Sequence, residues 1–276
     1  DPAAVHYVLV WDPEPGRQAG YPNLRVIFGS GAGVDAIAAD PSLPRHVPVV
    51  RMTTPGAAQR MGEFVTWSVL SLLKGARRIG IAQAERRWDY FEPERTAPET
   101  TVGIMGLGHM GRAAARMLMP MGFNVIGWSR TRKDLPGIDS FIGDGAELDT
   151  FLLESDIVVC LLPATPETQG ILAQPLFDRM CDGTGLVNVG RGSQQRIGDI
   201  LAALDSGRLS GAVLDVFEQE PLPPDHPAWT HPRLLVTPHL ASLPPRSERA
   251  AYVAGLIAAH ARGEALPNTY DHARGY

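Results

Sequence analysis

Thr101-Val-Gly-Ile-Met-Gly106-Leu-Gly108-His-Met-Gly111 decides how this chain folds. An apolar run, then glycine at 106, 108 and 111, then an alanine-rich stretch read as a strand, a tight turn and a helix. A Gly-x-Gly-x-x-Gly run alone is weak evidence, because 29 glycines make chance matches easy. Between a strand and a helix it has a mechanical meaning. The first glycine permits the tight turn, the second lets backbone approach a pyrophosphate, and the third lets helix and strand pack closely. The helix N-terminus then offers unpaired N–H groups to the anion. Gly106, Gly108, His109, Met110 and Gly111 are therefore candidates for binding a dinucleotide.

Outward from this turn the text is a regular strand–helix alternation. Runs at 101–105, 123–128, 156–161, 185–189, 210–214 and 233–236 read as strands, with helices at 109–121, 146–154, 173–180 and 194–206. The strands are near-continuous apolar runs, as expected when helices cover both faces of a parallel sheet. Upstream, 5–11, 24–28 and 47–52 are strand candidates, and 57–88 has helical spacing. Residues 92–99 hold two prolines and little apolar content, which marks a linker. The expected organisation is two doubly wound parallel-sheet domains with a cleft between them. A flavodoxin-like substrate domain takes 1–97 plus 245–276, completed by an alanine-rich helix at 248–262. A Rossmann cofactor domain takes 98–244. The chain enters its first strand within six residues of Asp1, with neither an initiator methionine nor a signal pattern, so we expect residues upstream of it.

Composition narrows the function. Of 276 residues 44% are apolar and 20% charged, an ordinary globular balance, and the length suits about two domains. Thirty acidic against 25 basic residues leave a net charge of −5, with no basic surplus for nucleic acid. No apolar run nears the roughly 18 residues of a membrane helix. Cys160 and Cys181 stand apart from any Cys/His cluster, so neither a disulfide framework nor a metal is expected, and a reducing, cytoplasmic compartment fits. Lys74 and Lys133 are the two lysines, which limits any lysine-based mechanism.

The end of the second strand of the dinucleotide unit selects the dinucleotide. A carboxylate there would bind a ribose 2′-hydroxyl. This chain has Trp128-Ser129-Arg130-Thr131-Arg132-Lys133 instead. A hydroxyl and three cations suit a 2′-phosphate, which arginine binds in a fork. Each charge-assisted contact is worth roughly 1.5–3 kcal/mol, so two set a preference of about a hundredfold. NADPH is expected, with NADH less preferred.

Three further residues follow successive strand ends: Arg191 in Asn188-Val-Gly-Arg-Gly192, Glu220 in Asp215-Val-Phe-Glu-Gln-Glu-Pro221, and His239 in Thr237-Pro-His239. Open α/β sheets place ligands beyond the carboxyl ends of their strands. Reducing a 2-keto acid needs a fixed cation for the substrate carboxylate, which guanidinium supplies. It also needs a proton donor near neutral pH, which imidazolium supplies, oriented by a carboxylate on its far nitrogen.

These motifs, with Leu161-Leu-Pro-Ala-Thr-Pro-Glu-Thr168, Leu214-Asp-Val-Phe217, Glu220-Pro-Leu-Pro-Pro224 and Asp271-His-Ala-Arg-Gly-Tyr276, resemble the D-isomer-specific 2-hydroxyacid dehydrogenase family, in particular its glyoxylate/hydroxypyruvate reductase A branch. The resemblance implies that Arg191 binds substrate carboxylate and carbonyl, that His239 is the acid/base, and that Glu220 pairs with it. It implies that Asp215 meets the nicotinamide, and that Leu162, Pro163, Thr168, Val189 and Gly190 line the cofactor. Gly29-Ser-Gly31-Ala32-Gly33-Val-Asp35 resembles the loop whose amides hold the substrate carboxylate, and Ser242 joins it. A homodimer and a strand–helix unit before His6 are also implied. Trp88, Trp229 and Met52 are candidates for the substrate wall, and each is equally plausible as core.

The glycine fingerprint also resembles that of the 3-hydroxyisobutyrate/6-phosphogluconate group, which carries it at the chain start and uses a catalytic lysine; here it begins past residue 100 and both lysines are poorly placed. A dinucleotide-sensing corepressor could keep every cofactor residue. Hydrolase and P-loop readings fail for want of Gly-x-Ser-x-Gly and of a Gly-Lys pair.

Overall fold

The structure is a computed structural model and describes residues 1–272. Residues 273–276 of the C-terminal motif lie outside the described residues. The chain divides into two compact units, Asp1–Ala57 with Leu243–Tyr276, and Ala58–Ser242.

In the first unit β1 (Tyr7–Val10), β2 (Val26–Gly29) and β3 (Val49–Val50) form a parallel sheet in that order. Alternation along β2 sends Ile27 to one face and Val26 and Phe28 to the other. Ile27 and Val49 meet Val34, Ile37, Leu43 and Val47, which surround the short helix α1 (Asp35–Ala38). Val26, Phe28 and Val50 meet Val253, Leu256 and Ile257 of the C-terminal helix Arg246–Ala261, an i, i+3, i+4 stripe.

The second unit begins within α2 (Pro55–Leu73), followed by α3 (Ala76–Ala84). The expected helix at 57–88 is therefore two. Gly75, at φ +64°, breaks it in the left-handed region that glycine reaches without strain. Next come β4 (Thr101–Met105), α4 (His109–Leu118), β5 (Asn124–Trp128), β6 (Asp139–Phe141), α5 (Ala146–Glu154), β7 (Ile157–Cys160), α6 (Gln174–Phe177), β8 (Thr184–Asn188), α7 (Ile197–Ser206), β9 (Leu209–Leu214) and β10 (Leu234–Val236). The seven strands are all parallel, in the order β10-β9-β8-β7-β4-β5-β6. The chain winds from β4 to β6 in one direction, returns to β7, and winds to β10 in the other. The crevice between β4 and β7 is the switch point where such sheets take ligands.

One face of this sheet packs Met105, Val158 and Leu186 against Phe151, Leu152 and Leu204; the other packs Ile104, Val159 and Val187 against Leu118 and against Met61, Val65 and Val69 of α2. Because that stripe of α2 is buried in the second core, the boundary between compact units falls at Ala57–Ala58. The linker at 92–99 and the residues of 58–97 lie inside the second unit, not the first. β6 and α1 are absent from the sequence reading. Both are short, and β6 begins with an exposed aspartate.

Candidate active site

The glycine turn is built as its spacing demands. Gly106 sits at φ +104°, and a Cβ there would stand 2.8 Å from the Leu161 carbonyl oxygen. A Cβ at Gly111 would collide with the Gly106 carbonyl. Gly108 differs: it precedes α4 with ordinary backbone, and a Cβ there would meet nothing within 4 Å. No side chain caps the helix at Gly108, and Gly108 and His109 are exposed while Met110 is half-buried. The turn is thus a cradle of backbone amides with open space before it, which fits a pyrophosphate.

The basic turn after β5 is ordered by its own hydrogen bonds. The Ser129 amide donates to the Phe141 carbonyl and its hydroxyl to the Thr131 carbonyl, 2.9 Å away. Arg130 is exposed; the Thr165 hydroxyl, a backbone amide and, least, the Arg130 charge hold the Glu167 carboxyl below its ordinary value. Lys133 Nζ lies 2.6 Å from Thr131 Oγ1. Arg132 bonds the Ser140 carbonyl, and one of its guanidinium nitrogens donates to both oxygens of Glu147, at 2.7 and 2.8 Å. Arg132 is thus engaged with an acid inside the unit.

Beyond β8, β9 and β10 the predicted trio is brought together. His239 Nδ1 lies 2.7 Å from Glu220 Oε2, and the Phe217 amide donates to Glu220 Oε1 at 2.9 Å. Desolvation pushes the Glu220 carboxyl up. The His239 hydrogen bond, the Phe217 amide and the charges of His239 and Arg191 together outweigh it, and hold the group below its ordinary value. An ionised carboxylate only accepts, so Nδ1 carries the proton of this bond. His239 adopts φ +52°, a region non-glycine residues seldom occupy, and its amide donates to the Asp215 carbonyl at 2.9 Å. Arg191 is half-buried, with one guanidinium nitrogen 2.7 Å from the Gly190 carbonyl oxygen.

Asp215, which the resemblance assigns to the nicotinamide, is 1% exposed. Its Oδ1 accepts from the Thr237 hydroxyl (2.6 Å) and the Leu240 amide (3.0 Å), and its Oδ2 from the Ala241 amide (2.9 Å). In this structure the carboxylate shapes the turn that carries His239. Leu162 and Val189 are buried at strand ends, as is Gly190. The Thr168 hydroxyl closes the loop after β7 by donating to the Pro163 carbonyl at 2.7 Å. Ser242 is half-buried at the end of the second unit.

Within the first unit, the loop Gly31, Ala32, Gly33 follows β2, and the Gly31 carbonyl accepts the Met52 amide at 3.0 Å. A Cβ on Gly31 would strike the Trp11 indole. Trp11, just after β1, therefore shapes this loop; the sequence does not single it out, because 20 positions separate it from Gly31. Met52 is buried core, whereas Trp88 and Trp229 are exposed. Among the described residues no group of three or more His, Cys, Asp or Glu is placed to hold a metal, and no helix is long and apolar enough to cross a membrane. Cys160 and Cys181 are free, and burial pushes the Cys160 thiol up to about 12.

A parallel sheet with a glycine cradle at its switch point, and a histidine bonded to a carboxylate beyond its far strands, defines a dinucleotide-binding α/β protein. Residues 66–241 match the family model for the NAD-binding domain of D-isomer-specific 2-hydroxyacid dehydrogenases. The chain belongs to that family. A D-isomer-specific 2-hydroxyacid dehydrogenase from Xanthobacter autotrophicus Py2, solved with NADPH and MES, is 44% identical, with TM-score 0.91 over 100% of this chain and 87% of that one. A probable 2-hydroxyacid dehydrogenase from Rhizobium etli CFN 42, in complex with NADP, HEPES and L(+)-tartaric acid, is 41% identical, with TM-score 0.90 over 100% and 87%. An NADPH-dependent glyoxylate/hydroxypyruvate reductase from Sinorhizobium meliloti, with NADP and sulfate, is 39% identical, with TM-score 0.90 over 99% and 87%.

Proposed function

We infer that this protein reduces small 2-keto acids, glyoxylate and hydroxypyruvate among them, to 2-hydroxy acids with NADPH. The observation that carries the reading is the 2.7 Å contact of His239 with Glu220, within reach of the Arg191 charge, at neighbouring strand ends. The amides of the Gly106–Gly111 turn hold the pyrophosphate, and Ser129, Arg130 and Lys133 receive the 2′-phosphate. A bound reduced nicotinamide supplies a hydride to the keto carbon. Arg191 holds the substrate carboxylate and polarises the carbonyl, its charge being permanent. His239, oriented through Nδ1 by Glu220, donates the Nε2 proton to the carbonyl oxygen as that oxygen gains charge. The NADP-bound relatives support the cofactor, and the Sinorhizobium reductase supports the substrates. A cytoplasmic homodimer acting without nucleic acid belongs to the same proposal; it rests on the resemblance and the acidic net charge.

Steady-state turnover of a 2-keto acid panel with each cofactor tests the reading. Glyoxylate and hydroxypyruvate should turn over with higher kcat/KM on NADPH than on NADH. Binding of NADPH without turnover would leave a dinucleotide sensor, and equal kcat/KM on both cofactors would end the preference. Gly108→Ala is a sharper probe. Its Cβ meets no protein atom, so the fold should persist while NADPH affinity falls.

A further inference from the structure

Asn188-Val-Gly-Arg191-Gly-Ser-Gln194-Gln195 places two adjacent glutamines after Arg191, and both are 0% exposed. Two glutamines at the end of a strand ordinarily face water. A buried primary amide must satisfy both N–H groups and its oxygen inside the protein. Gln194 does so across two strand ends. Its Oε1 accepts the Arg191 amide at 2.8 Å, and its Nε2 donates to the Leu162 carbonyl at 2.8 Å and the Pro163 carbonyl at 3.0 Å. The loop after β8 is thereby clipped to the loop after β7. Gln195 reaches the opposite way. Its Oε1 accepts from Asn188 Nδ2 at 2.8 Å and its Nε2 donates to the Val216 carbonyl at 3.0 Å. That carbonyl immediately precedes Phe217, whose amide holds Glu220. The packing leaves no slack: a Cβ on Gly190 would collide with the Gln194 amide, and one on Gly192 with the Phe217 carbonyl.

We propose that Gln194 and Gln195 are positioning residues that clip the Arg191 segment on one side to the cofactor loop at Leu162–Pro163 and on the other to the segment that carries Glu220. This rests on the function proposed above. The two amides divide the work: Gln194 sets the spacing between the guanidinium and the cofactor loop, and Gln195 the spacing between the guanidinium and the histidine–carboxylate pair.

Three variants of the full chain test this. Gln194→Leu strands one N–H and two carbonyls, and should raise the Kd for NADPH and the KM for glyoxylate each by about tenfold or more. Gln194→Glu keeps the acceptor for the Arg191 amide and loses both donors, so it should weaken NADPH and spare the keto acid. Its Kd relative to wild type should recover as pH falls from about 8 to about 6, because a buried carboxyl that takes up a proton regains one donor. Gln195→Leu should lower kcat by about tenfold with the NADPH Kd unchanged. Amide hydrogen exchange supplies a readout that does not depend on catalysis: in Gln194→Leu the Arg191 amide should exchange at least about tenfold faster, with β4 and β7 unaffected. If the Arg191 amide stays as protected in Gln194→Leu as in wild type, or if the three variants share one kinetic pattern, the clip is overturned. If the wild-type protein neither binds NADPH nor turns over a keto acid, the proposed function fails, and the exchange measurement still decides the clip.

Discussion

Glu220 and Glu147 each sit 2.7 Å from a basic partner, His239 and Arg132 respectively, and the two pairs do different things. Glu147 accepts from an exposed guanidinium at the sheet edge, where water screens the charges and the pair is worth about 0–1 kcal/mol. Both carboxylates also accept a backbone amide at 2.9 Å, Glu147 from Ile142 and Glu220 from Phe217, but Glu220 stands in addition within the field of a second cation. Its partner is held by its own backbone in a left-handed conformation, on a turn organised by the buried Asp215. Distance does not distinguish these pairs. Nor does the backbone amide that each accepts; the second cation near Glu220 and the left-handed backbone of its partner do.

Breaking the pair beyond β10 should have the largest effect. His239→Ala should lower kcat by roughly 10²–10⁴ with a small change in KM, read from steady-state turnover of glyoxylate with NADPH. An unchanged kcat removes the imidazole from the reaction. Arg191→Ala comes next. Losing a charge-assisted bond worth roughly 1.5–3 kcal/mol should raise KM for the keto acid about 10–100-fold.

The basic turn sharpens the contrast. Arg130→Ala should cut the NADPH-to-NADH ratio of kcat/KM by about tenfold or more. Arg132→Ala should move it less than about threefold, because Glu147 already takes that guanidinium in a screened pair. Equal effects would mean that Arg132 leaves Glu147 when the cofactor binds.

The smallest effect concerns stability. The Glu220 carboxyl lies below its ordinary value in the folded state, so its ionised form favours folding. That contribution is present above the unfolded carboxylate pKa of about 4.3, and is lost as pH falls through the lower folded value. The Tm gap between wild type and Glu220→Gln should persist at neutral pH and narrow below about pH 4. A gap that widens on acidification contradicts the account of the pair.

Much of this was legible in the residues. Apolar runs such as Ile157–Cys160 read as strands buried on both faces, and the glycine spacing placed the turn at the end of β4. Arg191, Glu220 and His239 were legible because each follows a strand end, where ligands collect. β6 was not, since one exposed and two half-buried residues carry no periodicity. Nor was the break at Gly75, which interrupts an otherwise continuous helical pattern. Composition marks a linker at 92–99, whereas the compact units part at Ala57–Ala58 because they follow the buried stripe of α2.

Local sequence established the parallel α/β plan and the glycine turn, and singled out Arg191, Glu220 and His239 as candidates, because periodicity, turn chemistry and side-chain type act over a few residues. The folded chain alone decided that Arg132 meets Glu147, that Asp215 organises a turn, and that Gln194 reaches Leu162 across 32 positions. Hydrogen bonds between residues so far apart in the chain depend on how strands align. That alignment is a property of the packed sheet and not of any segment in it.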